Sequence, residues 1–361
     1  MVNLDSLSVH RKYDPAGMLM HMKRFPEQCH SAWNKVMNYG LPSDYSQVNK
    51  VVILGMGGSA IGGEVVSSLV MAESNVPVVV QRDFDLPRFV DDRTLVIAVS
   101  YSGNTEETLT AFDQLMQTPA KKLVLTSGGK LGELAEQHSV FFSIIDYPAP
   151  PRATFPYMFA SLVGIFAKLG LLSEKTADLG PAIAALKQTV DELDITVPLD
   201  KNRAKQLAVR LNGKIPIVYG AGLLSGVARR WKTQFNENSK VWSFYEIFPE
   251  LVHNAINGYT YPGQARKHLM TLLLRAPLLP PRVRVQYEAV LRIMEDREVD
   301  HEVIDVLGDD NLTQILGMIL LGDFTSYYLS ILNRADPTPV PVIDFIKKFM
   351  ADSGNGGVPA P

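Results

Sequence analysis

Apolar positions along the chain fall into short unbroken runs set between stretches with helical spacing. The runs VVIL (51–54), PVVVQ (77–81), TLVIAVS (94–100), KKLVLTS (121–127) and VFFSIID (140–146) show no alternation of apolar and polar residues. Strands of that kind are covered on both faces, which is the condition of a parallel sheet between two helical layers. The intervening segments predict helices through about residue 72, through about residue 117, and over 156–195. An earlier helix is marked by Met18, Met22, Phe25, Cys29, Trp33 and Val36. The result is a doubly wound α/β unit.

Beyond VPLDKN (197–202) the pattern starts again. KIPIVYGAGLLSGVARR (214–230) repeats the order of KVVILGMGGSAIGGE (50–64): lysine, apolar strand, glycine turn, helix. HLMTLLLRAP (268–277) and EVIDVLG (302–308) predict further strands around a long helix. This is an imperfect internal duplication, with the chemistry-bearing turns richer in the first copy. A chain of 361 residues exceeds one ordinary core, so two domains are expected, 1–198 and 199–361. The stretch 312–334 predicts a helix, DPTPVP (336–341) interrupts it, and VIDFIKKFM (342–350) starts a last one. The end, GNGGVPAP, is expected to be unstructured.

Charge and composition narrow the partners. The formal net charge is −3 with no basic run, so neither nucleic acid nor an anionic membrane surface is indicated. The single cysteine, Cys29, excludes an intramolecular disulfide. The first residues lack a signal-type apolar core and no apolar run is expected to reach membrane length, so a cytoplasmic location is expected. Seven histidines include no HExxH or similarly spaced pair, so a catalytic metal is not expected; no other cofactor is expected either.

Two turns carry the candidate chemistry. GMGGSA (55–60) follows a strand, opens a helix and satisfies G-x-G-x-x-A. Gly57, Gly58 and Ser59 would let an anion approach the backbone at a helix N-terminus. SYSGNTEET (100–108) occupies the corresponding place after another strand and offers the hydroxyls of Ser100, Ser102 and Thr105, with Gly103 giving access. A dinucleotide would instead require an acidic residue after the second strand, where Asp83 stands beside Arg82. A hydroxyl-rich second turn suits the terminal phosphate of a small molecule better. Plainer readings are a tight turn with nothing bound, and helix capping by Ser102 and Thr105 with Glu106 and Glu107 in the first turn.

GMGGSAIGG followed by SYSGNTEET resembles the sugar isomerase (SIS) domain. Together with PRATFPY (151–157), QFNENSK (234–240), PELVHN (249–254) and the last helix, nearly the whole chain resembles the bifunctional phosphoglucose/phosphomannose isomerases. The resemblance implies two SIS-type α/β/α subdomains, each with a mainly parallel sheet flanked by helices. It implies aldose–ketose interconversion of hexose 6-phosphates without a metal, and a homodimer whose active sites are completed by the neighbouring subunit.

That reaction needs a base between C1 and C2, a cation near the enediolate and an acid to open the ring. Glu237, flanked by Asn236 and Asn238, could be oriented by amides, and the resemblance makes it the base. Arg152 stands in a segment stiffened by Pro148, Pro150, Pro151 and Pro156, and the resemblance makes it the transition-state stabiliser. His253 can donate and accept a proton near neutrality, and the resemblance places it in the partner's site as the ring opener. The family tends to have PELNHNEI here, whereas this chain has Val252 and Ala255. Lys347, or Lys348 beside it, matches the family's C-terminal lysine, on a last helix returning to the active site. Thr338 could accommodate either C2 epimer. The alternatives are a sugar-phosphate-binding SIS protein without turnover and an NAD-dependent dehydrogenase.

Overall fold

A computed structural model describes residues 2–354 apart from 278 and 307, so the terminal segment expected to be unstructured lies, from residue 355 on, outside the described residues. The first sheet contains β1 (Lys50–Leu54), β2 (Val78–Gln81), β3 (Thr94–Ser100), β4 (Lys121–Thr126) and β5 (Phe141–Ile144). Its order is β2-β1-β3-β4-β5, all parallel. The second contains β6 (Ile215–Ala221), β7 (Phe244–Phe248), β8 (Leu269–Arg275) and β9 (His301–Asp305), in the order β7-β6-β8-β9. It is also parallel and repeats the first sheet without its last strand, as a duplication would.

The apolar runs become strands because both faces are covered. Val51 and Ile53 of β1 enter a continuous core that also takes in Val218 of β6 and Leu272 of β8. Val52 and Leu54 point the other way, into a smaller cluster with Val96, Ala98 and Phe112. Each such side chain contributes about 1.5–3 kcal/mol relative to exposure. All seven residues of β3 are buried.

β7, an edge strand, went unrecognised in the sequence. Phe244 is exposed, the next three residues are only half-buried, and Glu246 breaks the apolar run FYEIF.

The two sheets are joined by helices rather than by a linker. Helix Gly57–Glu73 crosses helix Ser225–Glu237 so closely that a Cβ at Gly226 would lie 3.2 Å from the Val65 nitrogen. The N-terminal residues reach across as well. Buried Lys205 donates to Asp5 at 2.8 Å and to the carbonyls of Ile195 and Val197 at 2.8 and 2.7 Å. His10 bonds the Leu4 carbonyl through Nε2 at 2.8 Å, so Nδ1 is left to accept from Tyr327 Oη at 3.1 Å. Burial holds this imidazole below its ordinary pKa, in the neutral form.

The expectation that no apolar run reaches membrane length is corrected here. Helix Asn311–Leu332 is long and apolar enough to cross a membrane, although its apolar window is 89% buried within the fold. It is a core helix, and polar residues at Asn311, Gln314 and Asp323 had disguised the run.

Candidate active site

In the first sheet the chain leaves β1 to one side for β2 and then returns to the other side for β3. The crevice between the ends of β1 and β3 is the place where open α/β sheets accept ligands. Both candidate turns lie there. The Tyr101 N–H, in the turn after β3, donates to Ser59 Oγ at 3.3 Å, so the turns touch.

The hydroxyls around this crevice are not consumed by capping. Thr105 is the N-cap of helix Glu106–Met116, yet its side chain makes no cap bond. It lies 3.0 Å from Ser100 Oγ instead. Ser59 and Ser102 each accept a backbone N–H, from Tyr101 and from Asn104 at 3.2 Å. Each therefore keeps its own proton to donate. Glu106 and Glu107 do occupy the first turn.

The glycines divide into two groups. Gly57 has φ +48°, and a Cβ there would meet nothing within 4 Å, which leaves its backbone open to a ligand. Gly58 is needed for another reason: a Cβ would lie 3.3 Å from Arg152 Cα and from the Pro151 carbonyl. Gly103 does not give ligand access, as the sequence had suggested. It lets the turn close on Gly128, whose carbonyl a Cβ would overlap at 1.8 Å.

Gly58 thus seats the turn Pro151–Thr154 directly on the start of the Gly57–Glu73 helix. Tyr101 secures the approach to that turn by donating to the Tyr147 carbonyl and accepting from the Ala149 N–H, both at 3.0 Å. Arg152 is 3% exposed. Its Nε donates to Asn238 Oδ1 at 2.6 Å, and Nη2 donates to the carbonyls of Pro337 and, at 2.8 Å, Thr338. Its Nη1 lies 3.6 Å from Glu237 Oε2. Burial lowers the guanidinium's pKa, and Glu237 works against that shift.

Glu237 ends the helix Ser225–Glu237, with its side chain 26% exposed. The flanking amides do not orient it. Asn238 holds Arg152 and donates to Ser326 Oγ at 2.9 Å, while Asn236 donates to the Val241 carbonyl at 2.9 Å. Arg152 is the group facing the carboxylate. At 3.6 Å it attracts without hydrogen-bonding, so both carboxylate oxygens remain available to a proton. Lys240 ties the Glu237 carbonyl to that of Pro339, the latter at 2.6 Å.

Other predicted residues are not gathered here. His253 is exposed in the short 3-10 turn Glu250–His253, where neighbouring Asn254 donates to Glu250 at 2.9 Å. Lys347 and Lys348 lie on helix Pro341–Gly354, whose residues 341–352 are all exposed. The segment leading into this helix reaches the site, since the carbonyls of Pro337 and Thr338 accept from Arg152. A cavity of about 480 Å³ lined by Leu186, Leu193, Met318 and Leu321 lies elsewhere and touches none of the predicted site residues.

Asp83 caps its own turn by accepting from the Phe84 N–H at 2.7 Å, a poor arrangement for holding a ribose. Sequence reasoning missed Arg230, Gln234 and Asp323, which form a buried polar cluster behind Arg152. Arg230 and Gln234 lie seven and three residues before Glu237 on the same helix face, which was the available signal.

The chain is similar to known proteins along most of its length. Residues 44–167 match the SIS domain family and residues 200–350 match the bacterial phospho-glucose isomerase C-terminal SIS domain family. A bifunctional phosphoglucose/phosphomannose isomerase of Caldicellulosiruptor bescii is 37% identical over 342 residues, covering 93% of this chain and 99% of the relative. One from Aquifex aeolicus is 34% identical, covering 85% and 92%. The crystal structure of a hypothetical protein from Thermus thermophilus superposes with a TM-score of 0.74 at 15% identity, covering 97% of this chain and 93% of that one. At that identity the likeness concerns the fold.

Proposed function

The chain belongs to the bifunctional phosphoglucose/phosphomannose isomerase family, and on that basis we infer that it interconverts glucose 6-phosphate or mannose 6-phosphate with fructose 6-phosphate through a cis-enediolate. The observation that carries the residue assignment is the contact of Gly58 with the Arg152 backbone. It puts the anion-binding turn, the guanidinium and the Glu237 carboxylate on one connected path.

In this reading the substrate phosphate accepts hydrogen bonds from Gly57, Gly58, Ser59, Ser100, Ser102 and Thr105. His253 protonates the ring oxygen and removes the anomeric hydroxyl proton. Glu237 takes the C2 proton and returns it to C1, while a proton passes between O1 and O2. Arg152 stabilises the negative charge that develops on those oxygens. The enediolate is planar, so C2 loses its configuration and one base serves both epimers. The Thr338 hydroxyl is buried beside Arg152 with no partner among the described residues, which suits a substrate hydroxyl at that carbon. With fructose 6-phosphate as substrate, both glucose 6-phosphate and mannose 6-phosphate are expected in a coupled assay. Binding without either product would leave the non-catalytic sugar-phosphate-binding alternative.

The reading includes the division into units 1–198 and 199–361, a cytoplasmic setting, and a homodimer. Exposed His253 and Lys347 need a second chain to meet a site. Apolar surface is available for one: Phe345, Ile346 and Phe349 on the last helix, and Trp242 and Phe244 near β7, are at least half exposed. Sedimentation equilibrium should give twice the 39.9 kDa of one chain. A single-chain mass at assay concentration would refute the shared site.

A further inference from the structure

Asp323 lies in the middle of helix Asn311–Leu332, among apolar side chains, and is 4% exposed. A carboxylate in such a place is costly, and pairing it seldom returns net stability over an apolar replacement. What the pairing does here is fix geometry. Arg230 Nη2 donates to Asp323 Oδ2 at 2.6 Å and to the Arg152 carbonyl at 3.3 Å. The same guanidinium stands 4.2 Å from the centre of the Phe155 ring, at the start of the helix that follows Arg152's turn. Gln234 Nε2, one helical turn beyond Arg230, donates to Asp323 Oδ1 at 3.0 Å.

Both anchored residues precede Glu237 on one helix, and the anchored carbonyl belongs to Arg152. We propose that Asp323 is a positioning residue for the isomerisation, setting the separation of Arg152 and Glu237 by holding the backbone of one and the helix of the other. This rests on the catalytic reading of that pair. It also gives the two buried arginines separate counter-ions, with Asp323 for Arg230 and Glu237 for Arg152. Arg152 is thereby left facing the site rather than drawn to an interior carboxylate.

The test is Asp323→Asn, which keeps the shape and removes the charge. A displacement of about 1 Å costs on the order of 10²-fold in rate, so kcat for fructose 6-phosphate should fall about 10- to 100-fold. KM should stay within about threefold. Affinity for 5-phosphoarabinonate, a mimic of the enediolate, should fall in step with kcat/KM, while affinity for inorganic phosphate is unchanged. Phosphate sees only the cradle, so an equal loss of both affinities would mean that Asp323 merely supports the fold and would overturn the proposal. So would wild-type kcat with wild-type affinity for the mimic.

If Asp323→Asn does not fold, Arg230→Lys takes its place. It keeps a cation beside Asp323 but cannot also reach the Arg152 carbonyl, and the same separation of mimic from phosphate is expected. Wild-type kinetics in that variant would overturn the proposal equally. Glu237→Gln serves as the reference. Turnover surviving there refutes the catalytic pair itself, whereas an inactive Glu237→Gln beside a normal Asp323→Asn refutes only the positioning role.

Discussion

Glu237→Gln should lower kcat by about 10²- to 10⁴-fold, the range a positioned general base supplies. Glutamine fills the same volume and can still face Arg152, but it cannot hold the C2 proton between removal and return. Stability should fall, because Arg152 is 3% exposed and loses the carboxylate that faces it. The 3.6 Å separation and the 26% exposure of the carboxylate moderate that loss. Inorganic phosphate should bind within about twofold of wild type, because its donors lie in the turns after β1 and β3. Kinetics with fructose 6-phosphate, together with a phosphate titration, decide the matter. Turnover within tenfold of wild type would remove Glu237 from its role.

Arg152→Met should lose both rate and stability. Removing one preorganised donor from a developing oxyanion costs about 10²- to 10³-fold in kcat, and methionine offers none. The same change strips a donor from Asn238 Oδ1 and from the carbonyls of Pro337 and Thr338. Buried acceptors left unpaired cost about 1–3 kcal/mol each before relaxation. Thermal melting should therefore show a clear drop, and kcat must be measured well below the new transition. A folded Arg152→Met enzyme with near-normal turnover would contradict the assignment. Arg152→Lys should recover part of the stability and little of the rate, since a single ammonium cannot span an amide, two carbonyls and an enediolate.

What the chain discloses in advance follows from how locally each feature is determined. The buried strands were legible because burial on both faces demands continuous apolar runs. The closeness of the two turns was legible because each follows a parallel strand with small residues and hydroxyls, and Tyr101 N–H reaches Ser59 Oγ. β7 was not, because Glu246 interrupts its short apolar run. Asn238 was misread as an orienter of Glu237 because adjacency in sequence does not say which way a side chain points, and the guanidinium it serves lies 86 positions earlier. Asp323 was hidden for a related reason. A single acid in a long apolar helix announces that something compensates it, but not that the partner sits on a helix ending at the catalytic carboxylate. The glycines show the same limit: the motif located them, but only packing shows that Gly58 supports Arg152 and Gly103 supports its own turn.

The phosphate cradle grows from one duplicated half and the proton-carrying carboxylate from the other, with a shared interior between them. Neither half alone would carry both the proposed phosphate-binding turns and the proposed base.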